Sequence, residues 1–144
     1  MNEIICLSLK DNAAEIAKLS TLNKLLLKNS LILKPNDIER LIITKNTILH
    51  DLNRVEINNN LLYKIINEFC TSPFLEQDNF ITVVEEITEL VYLFEAKISN
   101  VLTDDEIIHY LKSEYEKYEG CLDLVLDFSL NDIINKIGVD NKYE

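Results

Sequence analysis

The sequence predicts an all-α fold, on three observations. Apolar side chains recur at spacings of three and four between Phe80 and Ile98, which places them on one stripe of a long helix. Glycine and proline occur only twice each, which is not typical of a turn-rich β architecture. The chain has 144 residues, enough to close one hydrophobic core. We therefore expect a single domain over 1–144, a bundle of five or six helices around a central helix at about 79–101.

Two helices are predicted before residue 53. The first begins at Asp11 as N-cap and ends at Asn29 and Ser30. Its apolar face comprises Ala14, Ile16, Leu19, Leu22, Leu26 and Leu27. The second follows an extended segment at 31–35, with Asn36 as its N-cap and Glu39 three residues later. We expect this helix to bury Ile38, Leu41, Ile42, Ile48, Leu49 and Leu52, and to expose Arg40, Lys45 and Asp51.

A short excursion at 53–60 and a third helix at about 61–70 come next. Three successive asparagines close the excursion, and asparagine tolerates positive φ better than most residues. The third helix is predicted to bury Leu62, Ile65, Ile66 and Phe69. Pro73 separates it from the central helix, and Phe74 and Leu75 are expected to anchor the connection.

After the central helix, whose stripe we extend to Val101, Thr103 and Glu106 form a capping-box pattern. The helix that follows is predicted to end at Gly120 and to bury Ile107, Ile108, Leu111 and Tyr115. A further buried piece should contain Leu122, Leu124, Val125, Leu126 and Phe128. Ser129 and Asp132 should start a last helix that Gly138 stops, which leaves a polar tail at about 139–144.

The net charge of −11 belongs to the second half of the chain. Residues 1–70 have nine Lys and Arg and eight Asp and Glu, whereas residues 71–144 have five and seventeen. The acidic second half would repel a phosphate backbone and an anionic membrane. A protein with a basic surface is a more suitable partner for it, although the negative charge could also serve only solubility.

Glu85, Glu86 and Glu89 lie off the apolar stripe of the central helix. Glu85 and Glu89 are like charges four residues apart, which costs a few tenths of a kcal/mol that a partner's lysine or arginine would relieve. The leading hypothesis is therefore a non-enzymatic, acidic protein-interaction module with a basic partner. An ordinary solvated face is the simpler interpretation, and an acidic inhibitor that mimics nucleic acid is a further alternative.

Two other candidate sites are weaker. Glu106 and His109 form a Glu-x-x-His pattern of the kind found in di-metal helical bundles, which makes a small metal- or ligand-binding bundle an alternative function. The required second Glu-x-x-His unit is missing, and Glu106 is already explained by capping. Arg54, Glu56 and Asn58 form a possible ligand-binding loop, since binding residues concentrate on loops.

The cysteines indicate a reducing compartment. Cys6, Cys70 and Cys121 are odd in number and form no C-x-x-C pair, so we expect reduced thiols in a cytoplasmic protein. A Cys70–His50 nucleophile and base is possible, but a structural cysteine at a core-facing helix end is the better interpretation. No phosphate-binding or hydrolase motif is present, so we predict no catalytic residue and no cofactor.

Short motifs between about 31 and 127 resemble an uncharacterised family of small bacterial proteins, a domain of unknown function. The matching segments are 46–49, 54–57, 69–74, 79–80, 89–90 and 103–106. The family pattern has glycines where this chain has asparagines at 58–60, a change that keeps the tolerance for positive φ. The resemblance implies an all-helical fold and implies no activity.

Overall fold

The computed structural model describes residues 13–54, 60–98 and 101–141, with side chains as far as residue 136. Every regular element within these ranges is a helix, which confirms the all-α fold class. None of the described helices is both long and apolar enough to span a bilayer. The chain divides into two compact units, Met1–Glu89 and Leu90–Glu144. The single domain expected over 1–144 stays a prediction.

The described part of the first unit contains five helical segments. These are α1 (Ala13–Thr21), α2 (Asn23–Lys28), α3 (Pro35–Asp51), α4 (Leu61–Phe69) and the start of α5 (Phe80–Ile98), up to residue 89.

The first predicted helix is two helices, broken at Leu22. Asn23 explains the break, because its side-chain amide donates to the carbonyl of Leu33 at 3.0 Å and accepts from the Leu33 N–H at 2.7 Å. This pair fixes the start of α2 against the extended segment 31–34. The predicted burial of Ala14 and Leu27 is wrong, since both are exposed, and the Asp11 cap lies outside the described residues.

The end of α2 and the extended segment follow the prediction. Ser30 has φ 61°, and the N–H of Leu31 donates to the carbonyl of Leu26 at 2.9 Å, which closes the helix with a left-handed residue. Leu31 and Leu33 are buried and Ile32 is exposed, the alternation of an extended chain.

Helix α3 begins two residues earlier than predicted. Pro35 is its first residue, where the missing N–H costs nothing, and Asp37 accepts from the Lys34 N–H at 3.0 Å. The assignment of Asn36 as N-cap is therefore wrong. Leu52, expected to be buried, is 40% exposed because α3 has ended and the chain turns through Asn53 at φ 54°.

Lys45 is the largest departure from the predicted burial of the first unit. Predicted to face outward, its side chain is only 1% exposed, and its Nζ lies 2.6 Å from Glu15 Oε1, whose side chain is equally buried. Helix α1 packs on α3, and this ion pair joins them. A charge buried without its counterion costs several kcal/mol, so the pair constrains which faces of the two helices meet.

The third helix and the connection after it match expectation. Leu62, Ile65, Ile66 and Phe69 are buried, and the connection is anchored by Leu75, while Phe74 is half-buried. Cys70 is buried near the end of α4, as the structural interpretation predicts.

The second unit contains the end of α5, then α6 (Asp104–Lys117), and a continuous helical stretch at 122–141. That stretch consists of a helical turn (Leu122–Leu124), a π-helical segment (Val125–Ser129) and α7 (Leu130–Asn141). The predicted central helix is present as α5, although Val101 lies beyond it and is exposed.

Both ends of α6 match the prediction. Thr103 Oγ1 accepts from the Glu106 N–H at 3.2 Å, and Glu106 Oε1 accepts from the Thr103 N–H at 2.9 Å, a complete capping box. The helix ends in a turn with positive φ at Glu119 and Gly120, and the N–H of Gly120 donates to the carbonyl of Tyr115 at 2.7 Å.

The stretch at 122–141 differs most from the prediction. Val125, Ser129 and Ile133, spaced by four, are its buried residues among the side chains described. The expected burial of Leu124, Leu126 and Phe128 is wrong, because these side chains lie beside that narrow stripe and are 38%, 43% and 55% exposed. Ser129 does not start a helix and Gly138 does not stop one, since the helical backbone continues through both to Asn141, so the predicted tail begins too early.

We predict that replacing Lys45 by methionine lowers the free energy of unfolding by about 3–5 kcal/mol, because the Glu15 carboxylate would stay buried without its counterion. Replacing both residues by methionine should restore most of that loss. Urea unfolding followed by circular dichroism measures both effects. Lys24→Met, at an exposed lysine, is the matched control and should change stability by at most about 0.5 kcal/mol. A single Lys45→Met variant as stable as the control would contradict the importance of the pair.

Candidate functional site

An open groove of about 470 Å³ lies in the second unit, between the C-terminal end of α6 and the helical stretch at 122–141. Its lining residues are mostly polar or aromatic. They are Glu114, Lys117, Tyr118, Asp127, Phe128, Asn131, Asp132 and Asn135. Helix α6 packs directly on the π-helical segment, so the groove follows from that packing. π-helical segments occur frequently at functional sites, which makes this groove the candidate site.

A buried hydrogen-bond network forms the floor of the groove. Glu114 is 8% exposed, and its Oε1 accepts from the hydroxyl of Ser129 at 3.0 Å. The hydroxyl of Tyr110 lies 3.2 Å from the same oxygen and 3.1 Å from the backbone carbonyl of Ser129. The Tyr110 hydroxyl has a single proton, which these two acceptors share, so the phenol of Tyr110 and the hydroxyl of Ser129 together fix the π-helical segment on α6.

The environment of Tyr110 favours its neutral phenol. Burial raises the pKa of Tyr110, and the neighbouring Glu114 carboxylate raises it further, because a phenolate would be desolvated beside a negative charge. The tyrosine therefore remains a hydrogen-bond donor to the network throughout the neutral range.

One wall of the groove is aromatic and carries a cation. The rings of Tyr118 and Phe128 stack with centroids 6.2 Å apart and an interplanar angle of 29°. The Nζ of Lys117 lies 5.3 Å from the centroid of Tyr118 and 4.0 Å from Glu114 Oε2. The distance to the ring is within the range of a cation–π contact, so the groove already holds an ammonium group of its own chain.

The rim is acidic. Asp132 pairs with Lys136 at 3.1 Å, and the side chain of Asp127 is exposed. Residues 104–136 contain nine Asp and Glu and three Lys and Arg. The groove is thus an aromatic and partly apolar cleft in a negative field.

Leu124, Leu126 and Phe128 are exposed apolar side chains that flank the buried stripe of this helical stretch, and Phe128 also lines the groove. Asp123 and Asp127 lie among them in the sequence and are also exposed. Leu124 and Phe128 are four residues apart and therefore share one face of the helix, where they form an exposed apolar pair of the kind found at interaction surfaces.

The three glutamates predicted as a partner-binding face have different surroundings. The carboxylate of Glu85 accepts hydrogen bonds from Arg40 and from the Thr44 hydroxyl. The hydrogen bond between Arg40 and Glu85, together with the negative charge of Glu85, raises the pKa of Arg40. Glu86 and Glu89 are exposed. Glu85 therefore belongs to the packing of the first unit, and the other two remain available to a partner.

The remaining predicted sites gain little geometric support. Glu106 is half of the capping box, and the described residues hold no group of three or more potential metal ligands around it or His109. Arg54 is exposed at the end of the described segment, while Glu56 and Asn58 lie outside the described residues. His50 is exposed and lies beside Asp51, whereas Cys70 is buried.

Sequence reasoning missed the groove, although one signal was present. Glu114 follows Leu111 by three residues and precedes Tyr115, so helical periodicity places it near the buried stripe of α6. Nothing in the sequence indicates the π-helical segment, because its apolar residues fit the pattern of a buried α-helix equally well.

A family model described as a family of unknown function (DUF6323) matches residues 18–143 of the chain. The chain therefore belongs to this family, which confirms the resemblance found in its short motifs. No curated protein and no solved structure matches the chain.

We predict that Tyr110→Phe reduces the loss of stability at alkaline pH. The folded state holds the Tyr110 proton more tightly than the unfolded chain, whose tyrosine pKa is about 10. The stabilisation is complete below about pH 10 and is lost as the pH rises towards the raised pKa of the folded state. Urea unfolding from pH 8 to pH 11 measures the difference between the two proteins.

At pH 8 the same substitution should cost about 1 kcal/mol, through the lost hydrogen bonds of the hydroxyl. The other tyrosines titrate in both proteins and cancel in the comparison. Identical pH slopes for the wild type and the variant would contradict the placement of Tyr110 beside the Glu114 carboxylate.

Proposed function

We propose that this member of the DUF6323 family is a non-enzymatic protein-interaction module that binds a basic partner protein through the acidic second half of its chain. The observation that carries the proposal is the groove of the second unit, in which the rings of Tyr118 and Phe128 lie beside three carboxylates. A basic partner with apolar residues fits both parts of that surface.

The charge distribution supports electrostatic attraction of such a partner. All of the excess negative charge lies in residues 71–144, and half of their balance of −12 lies in residues 104–136, which have nine Asp and Glu and three Lys and Arg. A surface of one charge sign speeds association with an oppositely charged partner and makes it sensitive to salt.

The exposed apolar pair of Leu124 and Phe128 supports binding beyond simple attraction. Phe128 stacks on Tyr118 on one side and is more than half exposed, so a partner could bury the rest of its ring. Buried aromatic residues at the centre of an interface commonly account for much of the binding energy. A surface that served solubility alone would gain nothing from exposing Leu124 and Phe128 together.

Helix α5 offers a second acidic surface, in the first unit. Glu86 and Glu89 are exposed there and lie three residues apart on the same helix. Glu85 does not add a free carboxylate to this surface, because its carboxylate forms an ion pair with Arg40. Replacing all three glutamates together would therefore confound partner binding with the packing of α3 and α5.

The proposal predicts that the tagged protein captures one stoichiometric basic protein from native lysate at low salt and releases it at high salt. Asp127→Lys with Asp132→Lys should abolish that capture by reversing the charge of the groove rim. Glu86→Lys with Glu89→Lys tests the α5 surface in the same way. Mass spectrometry identifies and quantifies the bound protein.

Glu39→Lys with Asp51→Lys is the matched control, because it makes the same change in net charge at exposed positions of α3. This variant should retain the partner. Capture of no protein at either salt concentration would contradict the proposed function, as would a partner that all three charge-reversed variants retain equally.

A further inference from the structure

We propose that the groove binds an arginine side chain of the basic partner, and that Lys117 occupies the position of that side chain in the free protein. This inference rests on the proposed function and deepens it by naming the group that the groove recognises. It depends on three features: the internal cation of the groove, the side chains that line it, and the exposed apolar pair of Leu124 and Phe128.

The position of Lys117 indicates that the groove attracts a cation. Its ammonium group lies over the ring of Tyr118 and 4.0 Å from Glu114 Oε2, between the aromatic wall and the buried carboxylate of the floor. Three carboxylates line the groove against this one ammonium, so its own lysine leaves the lining net negative.

Lys117 is held weakly enough to be displaced. Its side chain is 62% exposed, and a separation of 4.0 Å is at the limit of an ion pair. Exposed pairs of this kind contribute little to stability, because water screens them and the long side chain loses rotamer freedom. An incoming cation could therefore replace it at small cost.

The lining suits a guanidinium better than a second ammonium. A guanidinium is planar, stacks on aromatic faces and donates hydrogen bonds in a fork that matches a carboxylate. The groove offers the stacked pair of Tyr118 and Phe128, the rim carboxylate of Asp127 and the side-chain amides of Asn131 and Asn135. A volume of about 470 Å³ leaves room for the side chain to enter.

The exposed apolar pair of Leu124 and Phe128 specifies the residues next to that arginine. Phe128 lines the groove and Leu124 lies one helical turn before it on the same face, so apolar side chains that flank the arginine would be buried against this pair. The occupant is thus a protein segment with an arginine between apolar residues. A nucleic acid is disfavoured by the same carboxylates that favour the arginine.

The test uses the full chain labelled with ¹⁵N and the probe peptide acetyl-Ala-Leu-Arg-Leu-Ala-amide, followed by chemical-shift titration. Two matched peptides replace the arginine by lysine or by citrulline, which keeps the shape of arginine without its charge. We expect the shifts to cluster at residues 114–118 and 124–135. The arginine peptide should bind at least about threefold more tightly than the lysine peptide and about tenfold more tightly than the citrulline peptide, since an ionised partner roughly doubles the strength of a hydrogen bond.

Lys117→Met gives the distinctive result. Removing the internal cation should tighten binding of the arginine peptide about threefold or more, whereas Asp127→Asn should weaken it by a similar factor. Lys24→Met also removes one positive charge, but in the first unit. It should change the affinity for the arginine peptide only slightly, through long-range electrostatic attraction that added salt screens. The amide spectrum of each variant reports directly that it is folded.

Equal binding of the arginine and citrulline peptides, shifts outside the groove, or weaker binding by Lys117→Met would each overturn the inference. These failures are distinguishable from failure of the proposed function. A salt-sensitive partner that is still captured, together with no shifts in the groove, would leave the interaction module in place and remove only its arginine site.

Discussion

The arrangement of the second unit depends on one buried carboxylate. Glu114 lies on the inner side of α6, and an ionised group there is stable only if donors replace its lost water. The hydroxyls of Ser129 and Tyr110 supply them. Because Ser129 belongs to the π-helical segment, this requirement fixes that segment against α6 and opens the groove between them. The exposure of Leu124, Leu126 and Phe128 is a consequence, since the buried stripe passes through Val125 and Ser129 instead.

The same constraint acts in the first unit, where the buried charged groups are those of Lys45 and Glu15. Lys45 and Glu15 are both almost fully buried, and each makes the burial of the other possible. Such a pair adds little net stability compared with apolar residues of the same size, but it strongly penalises any packing that separates the two charges. Arg40 and Glu85 make a more exposed counterpart between α3 and α5. In both units, therefore, polar pairs select the way in which mainly apolar helices meet.

Periodicity and capping rules predict the helices of this chain well, because those rules describe local chemistry. The capping box at Thr103, the end of α2 at Ser30 and the buried face of α4 all follow from neighbouring residues. The same rules fail where a distant group decides the outcome. Lys45 is buried because Glu15 lies on another helix, and α1 and α2 are separated because Asn23 binds the backbone at Leu33. The groove was missed for the same reason, since it depends on a contact between Glu114 and Ser129 that no local pattern contains.

The proposed interaction places a partner protein in the groove of the second unit. Hydrogen–deuterium exchange of the full chain, with and without the captured partner, locates the bound partner because it reports every segment at once. Binding in the groove should slow exchange at residues 114–118 and 124–135, with little change along α3 and α4. Protection confined to the first unit, with unchanged exchange around Glu114 and Phe128, would contradict it.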